Sequence, residues 1–237
     1  MRRLLLSALA LAAAGVTVPI ANAQTPPSAV RAPRSELVVL VHGMGRTARS
    51  MEPMRAALDS AGFDVINIGY SSYCCGVAEL GETVRRELDA RRLPAQRRVH
   101  FVGHSLGNIL VRWMLTQPDP PVGVGRVVML APPNQGSHEA DRYSGMIGWL
   151  LEPIGELRTD SASTVMQLPP VRGVPIGIIA GKHDGKLAVD ETRLPEAQEH
   201  RVVDGNHAFL MRRPEVLRLT ISFLRDGTFG VLPDSIR

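Results

Sequence analysis

A chain of 237 residues, 44% hydrophobic and 21% charged, carries enough apolar material for one buried core and is short for two. Its 27 Lys and Arg against 23 Asp and Glu give a formal charge of +4; without Arg2 and Arg3 the balance is 25 against 23. The arginines are scattered, with doublets at 85–86, 91–92 and 97–98 that suit solvated helix faces and loops, so the charge is no nucleic-acid footprint.

The first 23 residues place two arginines before an apolar run, Leu4 to Ala14, and end on Ala21-Asn22-Ala23. This is the layout of a secretory signal peptide cleaved after Ala23, and it predicts a secreted or periplasmic protein. The alternative is an uncleaved anchor, since Leu4 to Ala23 approaches the length of a membrane span; Pro19 and the small-residue end speak for cleavage. Residues 24–35 hold three prolines and no apolar period, and read as a flexible lead-in. Residues 36–237 read as one domain.

Within that domain, apolar runs of strand length alternate with segments of helical period. LVVLVHG, DVINIGY, RVHFVGH, GRVVMLAP and VPIGIIAGK are the strands. Met51, Met54, Leu58 and Ala61 fall at helical spacing, as do Val77, Leu80, Val84 and Leu88, and Leu217, Ile221 and Leu224 share one face near the end. Strands this continuously apolar, alternating with helices, predict a mostly parallel sheet of about six strands covered on both sides. The two cysteines, Cys74 and Cys75, are neighbours whose α-carbons lie about 3.8 Å apart, below the usual disulfide range. Both a vicinal disulfide and a pair of loop thiols fit an exported chain.

In such a sheet ligands gather at the carboxyl ends of the strands. His42 and Gly43 follow the first strand, Ser105 the third, Asn134 and Gln135 the fourth, and Asp184 the fifth. Gly103-His104-Ser105-Leu106-Gly107 fits G-x-S-x-G with a strand before it, and Leu106, Ile109, Leu110, Trp113 and Met114 start a helical period after it. A nucleophilic serine has to project from a sharp turn whose neighbours are small enough for strand and helix to approach. The helix start also aims free N–H groups at any oxyanion formed there.

These stretches, with LVVLVHGMG, LAPPNQGS, IAGKHDG and GNHAFLMRRPEV in that order, resemble the α/β-hydrolase superfamily, specifically its compact bacterial serine lipases and esterases. The resemblance runs from about Leu37 to Gly227 and implies a triad in the chain order serine, acid, histidine. His207, in the loop before the last helix, occupies the place expected of the base. His42 and His104 sit inside other motifs, His100 is mid-strand, and His138, His183 and His200 have no motif support. Asp184 follows the fifth strand where the family has its acid, and its Asp-Gly pair makes a turn. Asp190 comes next, with Glu191 and Asp204 behind it. The oxyanion donors implied are the backbone N–H groups of Leu106 and of Met44 in HGMG. Asn108 stands where many relatives carry a third glycine, which implies looser packing behind the elbow.

Residues 134–173, between the fourth and fifth strands, fall where the family inserts a lid or cap. There Ile147, Leu150, Leu151 and Ile154 share a helical face with Trp149 nearby, suited either to lining an acyl groove or to packing on the core. His42, Asn134 and Trp149 are the candidates for contact with substrate. The chemistry expected is carboxylester hydrolysis through an acyl-enzyme on Ser105. The alternatives are acyl transfer by the same residues and a non-catalytic lipid-binding or interaction protein on the same fold. No metal or cofactor is called for, and no H-E-x-x-H spacing appears. The partner implied is a small-molecule or lipid ester, with passing contact at a lipid surface.

Overall fold

The computed structural model describes residues 36–94, 97–147 and 152–230. The leader, the lead-in and Trp149 lie outside them, and all described residues belong to the unit Pro33–Arg237. Six strands, β1 (Glu36–Val41), β2 (Asp64–Ile68), β3 (Arg98–His104), β4 (Val124–Leu130), β5 (Ile176–Gly181) and β6 (Glu199–Val203), form one sheet in the order β2-β1-β3-β4-β5-β6. Every neighbouring pair is parallel. Five of these strands are the apolar runs legible in the sequence. The sixth, EHRVV, lies at the sheet edge with most of its residues only half buried, so its polar side chains never form a strand-like apolar run.

Side chains alternate between the two faces of the sheet. Val38, Leu40, Val102 and Val128 point to the face covered by α1 (Glu52–Ser60) and α7 (Pro214–Asp226), through Met54, Leu58, Leu219 and Phe223. Val39, Val41, Phe101 and Met129 point to the other, under α2 (Val77–Asp89) and α3 (Leu106–Leu115), through Leu80, Val84, Ile109 and Leu110. Each of these helices was expected from its 3.6-residue apolar period. α1, α2 and α3 bury that stripe, whereas α7 buries Val216, Leu219, Phe223 and Leu224 and leaves the expected Leu217 and Ile221 half buried at the edge of that face.

Between β4 and β5 lie α4 (His138–Ile147), α5 (Glu152–Glu156) and α6 (Thr164–Gln167). Of the apolar face expected through Ile147, Leu150, Leu151 and Ile154, residues 148–151 lie outside the described residues, and Ile154 is buried on α5. The described part of this insertion packs on the core through Ala140, Ile154, Leu157 and Val165. Glu156 pins it further, accepting from the Val77 N–H at the start of α2 and from the Thr164 hydroxyl at 2.7 Å. Such a carboxylate satisfies an orphan N–H and opposes the helix dipole. Just before α2, Cys74 and Cys75 are joined as a vicinal disulfide, so of the two readings of that pair the bonded one holds.

Candidate active site

GHSLG, expected to present its serine on a sharp turn between strand and helix, has the backbone of such a turn. Ser105 joins β3 to α3 with φ 51° and ψ −125°, a conformation that L-residues rarely adopt. The Ser105 N–H bonds the Leu130 carbonyl at 2.9 Å and the Ser105 carbonyl accepts from the Asn108 N–H at 3.0 Å, so the turn is held from both sides. Asn108 is fully buried and donates from its amide to the Leu130 carbonyl at 2.9 Å. A Cβ on Gly103 would lie 2.3 Å from the Asn108 Oδ1, so the asparagine fills the space that Gly103 leaves empty. The looser packing expected from an asparagine at this position is not what the elbow has: the side chain itself bridges α3 to the end of β4.

His207 opens a 3₁₀ turn, His207–Arg212, after β6. Its Nδ1 lies 2.9 Å from each carboxylate oxygen of Asp184, and its backbone N–H bonds the Asp184 carbonyl at 2.9 Å. The carboxylate is oriented in turn by the N–H groups of Lys186 (3.0 Å) and Leu187 (2.8 Å), which the turn through Gly185 (φ 79°) folds back onto it. With the proton on Nδ1 donated to Asp184, Nε2 is left bare. The other acids considered lie elsewhere: Asp190 is 87% exposed and pairs with Arg193, Asp204 is exposed beside His183, and the buried Glu191 accepts the N–H groups of His138 and Ala188.

Ser105 and His207 line one cavity of about 480 Å³, together with Met44. Met44 belongs to the loop after β1, which runs close against the elbow: a Cβ on Gly43 would lie 3.0 Å from the Ser105 Cβ. In that loop the Gly45 N–H is taken by the Ser72 hydroxyl (3.0 Å) and the Arg46 N–H by the Gly43 carbonyl (3.3 Å). The Met44 N–H has no acceptor among the described residues. Leu106 is the first residue of α3, so its N–H has no acceptor within the helix either.

Two of the residues expected to touch substrate sit elsewhere, and Trp149 lies outside the described residues. His42 is fully buried, its Nδ1–H donating to the Gly43 carbonyl (2.9 Å) and its ring stacked on Tyr70 at 4.2 Å; the Tyr70 hydroxyl donates to the His42 carbonyl at 2.6 Å. Burial lowers the His42 pKa and raises that of Tyr70. This pair shapes the Met44 loop from beneath. Asn134 is buried on the far side of the insertion, donating to the Thr192 carbonyl (3.0 Å) and accepting from Arg112 (3.2 Å), while Gln135 donates to the Arg193 carbonyl. Both satisfy loop backbone.

His104, set aside as the base because it sits inside the GHSLG motif, has a sharper position. It is fully buried, its Nε2–H donates to the His207 carbonyl at 2.9 Å, and the two rings lie 4.9 Å apart. Burial is the main cause holding its pKa well below the ordinary histidine value, with His207 and Arg46 adding to the effect. Its neutral ring thus ties the elbow to the His207 loop. Pro133 and Ser137 of the LAPPNQGS stretch line the cavity too, while its larger apolar and aromatic walls, Tyr73, Tyr143, Ile154, Leu157 and Leu187, come from four separate stretches of chain with no shared motif. Only the apolar spacing of Ile154 hinted at one of them.

Residues 32–129 match the family described as "Putative serine esterase (DUF676)". That span runs to the penultimate residue of β4, so it contains Ser105 and Met44 but neither Asp184 nor His207. No curated protein matches the chain. Among solved structures, the mature Bacillus licheniformis lipase BlEst2 superposes with a TM-score of 0.66 at 18% identity, over 76% of this chain and 88% of that one. A metagenomic carboxyl esterase gives 0.62 at 16%, over 73% and 65%. The monoacylglycerol lipase of Paleococcus ferrophilus gives 0.58 at 17%, over 81% and 95%.

Proposed function

We propose that this protein, which has the α/β-hydrolase fold, is a serine carboxylester hydrolase in which Ser105 is the nucleophile, His207 the general base and Asp184 its orienting acid. The observation that carries the reading is the shared cavity: a serine held at positive φ on a strand-to-helix turn, and a histidine whose Nδ1 is engaged by a buried carboxylate. The serine esterase family matched over the nucleophile half, and the lipases and esterases that share the fold, support the same class of chemistry.

The Ser105 Oγ attacks the ester carbonyl carbon as its proton passes to the His207 Nε2. Asp184 stabilises the imidazolium and keeps Nδ1 as the donor. The tetrahedral oxyanion is held by the N–H groups of Leu106 and Met44, a role supported by the close run of the Met44 loop against Ser105 and by the lack of an acceptor for the Met44 N–H among the described residues. The intermediate collapses, the C–O bond to the alcohol breaks, and the imidazolium returns its proton to the leaving oxygen. Water then attacks the acyl-enzyme by the same route in reverse roles, releasing the acid and restoring Ser105.

The test is hydrolysis of 4-nitrophenyl esters from acetyl to palmitoyl by the wild type and by Ser105→Ala. Loss of activity in the variant supports the reading, and equal rates in the two proteins overturn it. A competing alcohol separates hydrolysis from acyl transfer, because transfer yields a new ester in place of the acid. A serine-reactive phosphonate that fails to label Ser105 would favour the non-catalytic lipid-binding alternative. The leader reading is part of the same proposal: we infer export with cleavage after Ala23, checked by N-terminal sequencing of the protein recovered outside the cytoplasm.

A further inference from the structure

The cavity around Ser105 is not apolar throughout. Arg46, two residues beyond Met44 in the same loop, and Lys186, two beyond Asp184 in the Asp-Gly turn, both line it. Neither makes an ion pair or a side-chain hydrogen bond among the described residues. Several other arginines are matched, Arg85 holding Asp119 through two bonds, Arg97 holding Asp64, Arg158 holding Asp160 and Arg193 holding Asp190, while Arg49, Arg142 and Arg218, like Arg46, pair with no acid among the described residues. One carboxylate, Glu139 on α4, faces the same cavity and has no partner within 4 Å among the described residues, so two cations outnumber one anion there.

Arg46 is half-buried where it lines the cavity, and its guanidinium has no acceptor among the described residues. A neutral acyl glycerol would fill the apolar wall of Ile154, Leu157 and Leu187 and leave that guanidinium without a partner. A carboxylate or phosphate offers paired oxygens that match its fork, and an ammonium nearby adds a second contact.

We propose that the preferred substrate is an ester that also carries an anionic oxygen group, a carboxylate or a phosphate, which Arg46 and Lys186 hold in the Ser105 cavity while the ester carbonyl is attacked. The inference rests on the esterase reading above and adds to it the chemistry of the substrate. Glu139 opposes the anion from the α4 side, which weakens the selectivity without reversing it.

Two matched pairs test it, each at low and high salt and corrected for spontaneous hydrolysis. The carboxylate pair is the mono-4-nitrophenyl ester of glutaric acid against 4-nitrophenyl valerate. The phosphate pair is a 1-acylglycerol 3-phosphate against the same 1-acylglycerol. The expected result is a kcat/KM at least about tenfold higher for the charged member of one pair, shrinking as salt rises. Preference confined to the first pair identifies the anion as a dicarboxylic half-ester, and preference confined to the second as a lysophospholipid headgroup. Arg46→Gln and Lys186→Gln should each reduce the charged-to-neutral ratio at least about threefold, chiefly through KM. Arg46→Lys should retain part of it, and Glu139→Gln should raise it.

Neutral members cleaved as fast as or faster than charged ones, in a reaction that Ser105→Ala abolishes, would overturn the inference and leave the esterase reading standing. A ratio untouched by both Arg46→Gln and Lys186→Gln would overturn it as well, because the anion would then be held elsewhere. No cleavage of any ester and no phosphonate labelling of Ser105 would overturn the esterase reading, and the inference with it.

Discussion

Replacing Gly107 by alanine tests how closely the elbow is built, because the same change elsewhere in the chain has the opposite sign. Gly107 lies in the first turn of α3, where alanine is favoured over glycine by up to about 1 kcal/mol. Its Cβ, however, would stand 2.3 Å from the Val41 carbonyl oxygen and 2.5 Å from that of His42. An ordinary carbon–oxygen contact is about 1 Å longer, and both obstacles are backbone, so α3 and the end of β1 have to separate. Overpacking of this kind costs up to about 3 kcal/mol. Set against the helix gain, the net loss is about 2 kcal/mol, or roughly 4–8 °C in Tm for a domain of this size. The functional effect is larger in proportion, since the same separation moves the Leu106 N–H away from the Met44 N–H. Loss of one oxyanion donor lowers kcat by about a hundredfold or more. Gly145, on α4, has no atom of the described residues within 4 Å of its virtual Cβ, so among them Gly145→Ala gains the helix term alone, up to about 1 kcal/mol. Thermal denaturation and 4-nitrophenyl butyrate kinetics on the two variants are the assay. Unchanged Tm and kcat in Gly107→Ala would refute the close-approach argument.

Asp184→Asn should keep the fold and lower kcat by about 10⁴, because an amide that donates to Nδ1 favours the wrong imidazole tautomer; a loss under tenfold would remove Asp184 from the triad. Ser105→Gly should be more stable than Ser105→Ala by about 1 kcal/mol in denaturant, since only the glycine relieves the positive φ of the elbow. Stability should also fall in acid. Burial depresses the pKa values of His42, His100, His104 and His200, so below about pH 6.5 the unfolded chain binds protons that the native protein refuses. The fully buried His42, His100 and His104 each contribute up to about 1.4 kcal/mol of lost stability per pH unit, beginning at the unfolded value and ending at the lower native one. The half-buried, solvent-screened His200 contributes less. A Tm equal at pH 7.5 and pH 5.5 would contradict this.

Much of the scaffold is legible along the chain because its signals are local. β1, β3, β4 and β5 are continuous apolar runs buried on both faces, and α1, α2, α3 and α7 carry stripes of period 3.6, so neighbouring residues alone reveal them. β6 escapes because an edge strand needs only one partner and keeps polar residues, which erases the pattern. The loop candidates divide in the same way. Ser105, Asp184 and His207 stand at strand ends in family order. His42 and Asn134, also at strand ends, turn inward and satisfy backbone groups, a direction that no local pattern encodes.

What the sequence by itself determined is the order of alternating strands and helices, and a serine placed between a buried strand and an amphipathic helix. Only the tertiary structure decided which carboxylate meets His207, that Asn108 fills the gap over Gly103, that His104 holds the His207 carbonyl, and that Arg46 and Lys186 line the serine's cavity with no acidic partner among the described residues. Hydrophobic periodicity is written between residues a few positions apart. Hydrogen bonds between loops some twenty to a hundred residues distant exist only once the sheet has stacked the ends of its strands side by side.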